Sequence, residues 1–132
     1  MWGFIHSTPV IEARLANPLL GLRCPETGEL MAVIDTGFSG FLFVPQRLFK
    51  ELGFDQLKTR KSRALLADGS RLELRGAYGS IEFPRLAVTA DGLVETAPGA
   101  SEVLIGMEGL RQLRLNLDCC SQSLEAERCG PA

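Results

Sequence analysis

Asp35, Thr36 and Gly37 directly follow the apolar residues Ala32, Val33 and Ile34, and Ser39 stands just before a second apolar run, Phe41-Leu42-Phe43-Val44. Asp is disfavoured in strands, and Asp-Thr-Gly alone reads as a surface turn. A carboxylate held at the end of a buried strand has a second use. Two carboxylates about 3 Å apart cannot both ionise, so they share a proton. The ionised member can activate a water while the protonated member hydrogen-bonds a carbonyl, which is general acid–base hydrolysis. Here Asp35 would supply the carboxylate, and Gly37 lets the backbone turn sharply and bring its N–H towards it. Thr36 and Ser39 offer hydroxyls to fix the loop and hydrogen-bond a carboxylate oxygen.

The chain has one such triplet and no repeat of it. A dyad then requires two copies of Asp35 across a two-fold axis, so an enzyme of this kind is expected to be an obligate homodimer. Other chemistries find little support. His6 is the only histidine, which removes the Ser-His-Asp and Cys-His arrangements. Cys24, Cys119, Cys120 and Cys129 have neither C-x-x-C spacing nor companion histidines, so no metal site is expected. Cys119 and Cys120 read as reduced thiols on opposite faces of a strand.

The elements that must position Asp35 read as mostly β, with period-two alternation and glycine-bearing turns. "PVIEARL" is a strand broken at Asn17-Pro18, and "LLGLRC" and "ELMAVID" flank the turn "PETG" as a hairpin whose second strand delivers Asp35. "FLFV" reads as a strand buried on both faces. Pro45 opens a two-turn helix, "PQRLFKEL", that Gly53 stops. Asp68-Gly69 is a strong two-residue hairpin signal, "GSIEF" and "RLAVTA" are further strands, and Asp91-Gly92 is another turn. "EVLIG" is a short buried strand, "MEGLRQLRL" has helical spacing, and "LNLDC" alternates as a closing strand.

With 132 residues, one domain over 1–120 is expected, followed by a loose tail over 121–132 with little to bury. Hydrophobic residues at 45% and charged residues at 23% are globular proportions, and a net charge of −2 argues against nucleic acid or an anionic membrane as partner. The cluster Lys58, Arg60, Lys61, Arg63 is interrupted and reads as a solvated loop. The opening lacks a basic region followed by a long apolar one, and no apolar run approaches the length of a membrane span, so a soluble cytoplasmic protein is expected.

The order of these parts resembles the retropepsin-like aspartic proteases of clan AA type, in particular the small single-domain prokaryotic group with a DTGF-type active-site motif. The resemblance covers about residues 10 to 119 and rests on "AVIDTGFSGFLFVP" with the helix after it, on "LLADGSRLEL", and on "EVLIGMEGLRQLRLNLD". It implies a closed, barrel-like acid-protease fold with two short helices and one lobe per chain. It also implies an aspartic endopeptidase acting on a peptide or protein substrate, with Asp35 catalytic and without metal or cofactor. By the same resemblance Ala67, Asp68, Gly69 and Ser70 form a flap over bound peptide, and Leu104, Ile105 and Gly106 are the apolar-apolar-Gly motif beneath the site. The same fold also serves as a non-catalytic dimeric peptide-binding or dimerisation module, which is the alternative reading. The "ADGS" tip is less glycine-rich than the viral flap pattern.

Overall fold

The computed structural model describes residues 1–66 and 68–130. Its strands are β1 (Trp2–Ile5), β2 (Thr8–Asn17), β3 (Leu22–Cys24), β4 (Leu30–Ile34), β5 (Leu42–Phe43), β6 (Arg60–Leu65), β7 (Arg71–Phe83), β8 (Val88–Thr96), β9 (Leu104–Ile105), β10 (Leu113–Asp118) and β11 (Ser123–Arg128). One α-helix, α1 (Gln46–Glu51), follows β5, and single 3-10 turns occupy Phe54–Gln56 and Pro84–Leu86. The chain is mostly β, as its alternation predicts.

β2 organises the sheet. It pairs antiparallel with β4 and with β7, and from β4 the pairings run through β9, β5 and β8 back to β7. The sheet thus closes on itself, and side chains pointing inward from this circuit make the core. Phe41, Phe49, Phe54 and Phe83 are fully buried there with Ile11, Leu15, Leu42, Ile81 and Ile105. α1 adds Leu48 and Phe49 to that core, and Gly53, at φ +72°, supplies the left-handed residue that ends the helical stretch after Leu52.

Several local expectations yield to packing. β3 and β4 do not form a hairpin with each other, since both pair with β2. The "PETG" stretch is instead an excursion between them, held where Arg14 Nε and Nη2 donate to the Gly28 carbonyl at 3.0 and 2.8 Å. Asp91-Gly92 is not a turn: β8 runs through it, with Ser80 opposite Asp91 and Gly79 opposite Gly92. Ser80 Oγ donates to Asp91 Oδ1 at 2.5 Å, and a Cβ on Gly92 would press into the Phe41 ring. The basic cluster is not all loop, because Arg60, Lys61 and Arg63 lie on β6 with their side chains exposed.

The second expected helix is a run of turns over 107–112, in which Leu110 N–H is shared between the Gly106 and Met107 carbonyls. Gly109 packs against the Phe41 carbonyl, and β10 begins at Leu113 before a regular helix can extend. The segment expected as a loose tail forms β11, which lies between β10 and β1 and fully buries Leu124. Cys119 and Cys120 are both exposed, in the turn between β10 and β11. Among the described residues no helix is long and apolar enough to cross a membrane.

Candidate active site

Asp35 is the first residue beyond β4, and three features of its segment set it there. Ala32 and Ile34 face the core, which anchors the strand. The Asp35 amide donates to the Ile105 carbonyl at 3.0 Å, extending the parallel pairing of β4 with β9 by one residue. The chain then turns: Phe38 N–H donates to the Asp35 carbonyl at 3.2 Å, and Gly37 N–H donates to Asp35 Oδ1 at 3.0 Å. The carboxylate is therefore half-buried and fixed by the backbone two residues on. Thr36, Gly37 and Ser39 are exposed, and the oxygen's donor is the Gly37 amide and not the hydroxyl of Thr36 or Ser39.

Leu104, Ile105 and Gly106 sit directly against this loop. β9 is inserted between β4 and β5, parallel to the first and antiparallel to the second, so that Ile105 is level with both Ile34 and Leu42. Beyond β9 the backbone is stitched to the loop. Gly106 N–H donates to the Phe41 carbonyl at 3.0 Å, Met107 N–H to Phe38 at 2.8 Å, and Glu108 N–H to Gly40 at 3.1 Å. A Cβ on Gly106 would collide with the Gly40 carbonyl oxygen, so only glycine allows the two segments to approach this closely.

A lobe with this closed sheet and this interlocked loop can be compared with known proteins. No family model matches the chain. An uncharacterized protein of Archaeoglobus fulgidus is 44% identical over 126 residues, spanning 96% of this chain and 98% of that one. The chain belongs to the same protein family as that archaeal relative. Its fold is similar to the crystal structure of a retropepsin-like aspartic protease from Rickettsia conorii, with a TM-score of 0.68 over 96% of this chain and 88% of that one, at 14% identity.

In this retropepsin-like lobe the hairpin β6–β7 carries the turn with Asp68, Gly69 and Ser70, and Ala67 lies outside the described residues. The connection is longer than the two-residue turn its sequence suggests. Leu66 N–H donates to the Ser70 carbonyl at 2.8 Å, Gly69 N–H to Leu66 at 2.9 Å, and Gly69 takes φ +87°, the left-handed conformation that such a loop needs. Asp68 Oδ1 accepts from Ser70 Oγ and N–H, and these hydrogen bonds hold its carboxyl below the usual carboxylate range. The turn is thus braced by its own atoms at the far end of the hairpin. Arg75, on β7, stacks on the Phe49 ring of α1 at 5.1 Å and so points to the helix side of the sheet.

Nearer the loop the hairpin meets a residue that sequence reading did not single out. Ser62 Oγ of β6 donates to Glu95 Oε2 of β8 at 3.2 Å. Glu95 is 9% exposed, and burial pushes its carboxyl pKa up, with Ser62 opposing that shift and the nearby Glu108 adding to it. The available signal was a single acid inside the apolar run "LVETA". Phe38 was also passed over. Its ring lies over Gly40, where a Cβ would meet it at 2.5 Å, and it packs edge-on against Phe43 with centroids 6.2 Å apart. An apolar concavity of about 430 Å³ between the β1–β2 turn, β4 and α1 contains no residue of the 35–40 loop.

Proposed function

We propose that the protein is an aspartic endopeptidase whose active site assembles from two copies of the chain, each contributing Asp35. The observation that carries this reading is the half-buried Asp35 carboxylate, held by the Gly37 amide at the end of β4 and bolted from behind by β9, on a retropepsin-like fold. One carboxylate is a base or an acid but not both, and the reaction uses both at once. With the dyad assembled, the ionised Asp35 takes a proton from a water as that water's oxygen adds to the peptide carbonyl carbon. The protonated Asp35 of the partner subunit gives its proton to the carbonyl oxygen. In the second step the ionised Asp35 of the partner subunit takes a proton from one hydroxyl of the tetrahedral gem-diol as it collapses to the carboxylic acid. The C–N bond breaks, and the departing nitrogen takes the proton held by the first Asp35, which restores the singly protonated dyad. The β6–β7 hairpin, braced at Asp68, Gly69 and Ser70, serves as the flap that keeps water other than the nucleophile away from the peptide.

Asp35→Asn tests the reading, because it keeps the side chain's shape and removes the shared proton. The parent is expected to cleave members of a peptide library and to sediment as a dimer. The variant should sediment identically and lose about 10²–10⁴-fold in rate. Titrating Asp35→Asn protein into the parent should also inhibit it, because mixed dimers hold one carboxylate. An active monomer, or a variant that cleaves as well as the parent, overturns the proposal.

A further inference from the structure

Glu95 stands beside the Asp35 loop and, among the described residues, has no ionic partner. It is central in the sheet, level with Phe43 of β5 and Gly76 of β7, while Val94 and Thr96 on either side are buried. Its side chain crosses beneath Gly76, where an added Cβ would come within 3.1 Å of Glu95 Cγ, and so reaches Ser62 on the next strand. The two carboxylate oxygens end differently. Oε2 accepts from Ser62 Oγ, whereas Oε1 lies 3.3 Å from the position of a Cβ on Gly40, next to the Phe38 ring. None of the ion pairs among the described residues includes Glu95. Arg60, on the same face of β6 as Ser62, is engaged instead with the Tyr78 hydroxyl at 3.1 Å.

A buried carboxylate without a cation is costly, and a cation brought to it recovers much of that cost. The surroundings of Oε1 suit a long basic side chain. Gly40 brings no side chain of its own towards Oε1, the Phe38 ring that packs over Gly40 offers an apolar surface for a methylene stem, and Glu108, whose amide is bonded to the Gly40 carbonyl, adds negative potential. Gly40 is five residues beyond Asp35 on the same loop, so an occupant of this place belongs to the segment of peptide lying across Asp35.

We propose that Glu95 is a specificity-determining residue that selects a Lys or Arg side chain of the substrate close to the scissile bond, received beside the Phe38 ring and Ser62. The proposal deepens the peptidase reading and rests on it for the word substrate, but its recognition step can be measured without cleavage.

Peptides differing only by Arg or citrulline at one position, scanned through the central positions, are bound to the Asp35→Asn protein near neutral pH and followed by fluorescence anisotropy. At one position the Arg peptide should bind roughly tenfold to a hundredfold more tightly than its citrulline counterpart. Adding Glu95→Gln should remove that ratio, whereas adding Ser62→Ala, which keeps the carboxylate, should retain it. The proposal is overturned if the ratio is absent at every position, survives Glu95→Gln, or is lost equally with Ser62→Ala. Cleavage of the same peptides by the Asp35-intact chain reports on the peptidase reading separately. Binding selectivity without any cleavage would sink that reading and leave Glu95 its role.

Discussion

The carbonyl oxygen of Gly40 occupies the space in which a side chain on Gly106 would begin. The strand segment after Ile105 can therefore lie flush against the 35–41 loop, and three consecutive amides, those of Gly106, Met107 and Glu108, bond to its carbonyls. The position of Asp35 depends on that seam as much as on its own strand.

Gly106→Ala should consequently do more harm than an extra methyl does elsewhere. The clash is with backbone on both sides, which cannot swing away as a flexible side chain can, so the stability loss should reach or exceed the ~1–3 kcal/mol typical of overpacking. Thermal unfolding followed by circular dichroism measures it. An unchanged midpoint would mean that the loop and β9 are not locked together.

Leu124→Ala tests whether β11 belongs to the folded unit. Leu124 is fully buried, opposite Trp2 on one side and Leu117 on the other. Truncating it should cost about 2–5 kcal/mol, read from denaturant midpoints. A loss of a few tenths would return this segment to the loose tail that its composition suggests.

Glu95→Gln should change how stability depends on pH. Burial raises the folded-state pKa of Glu95, so the folded chain holds this proton to a higher pH than the unfolded chain does. Stability associated with the protonated group is fully present below the ordinary carboxylate value, and it is lost as pH rises through the elevated folded value. Glutamine carries no such charge. The variant should therefore gain on the parent in unfolding free energy as pH rises from acid to neutral, and the gain should vanish in acid. A difference that is constant with pH would contradict a buried ionising carboxyl at this place.

Much of the site was legible from residue order. An apolar strand, Asp-Thr-Gly and a second apolar run place a carboxylate at a strand end with a tight turn behind it, because strand burial and glycine's freedom act over a few residues. The helix after Pro45 and the hairpin around Asp68-Gly69 were legible for the same reason. Asp91-Gly92 has an equally strong local turn signal, yet β8 passes straight through it. There the Ser80–Asp91 hydrogen bond and the Phe41 ring filling the space over Gly92 outweigh a local preference worth little by comparison.

What the sequence determined by itself was thus the chemistry on offer, namely one carboxylate on a rigid strand end in a mostly β chain with a single histidine. Tertiary structure alone decided what surrounds that carboxylate. The insertion of β9 between β4 and β5, the recruitment of residues 123–128 as a strand, and the meeting of Glu95 with Ser62 and Gly40 join residues far apart in the chain. Such contacts are selected by whether a closed sheet can be packed without voids or clashes, a condition on the whole molecule that no local window of residues expresses.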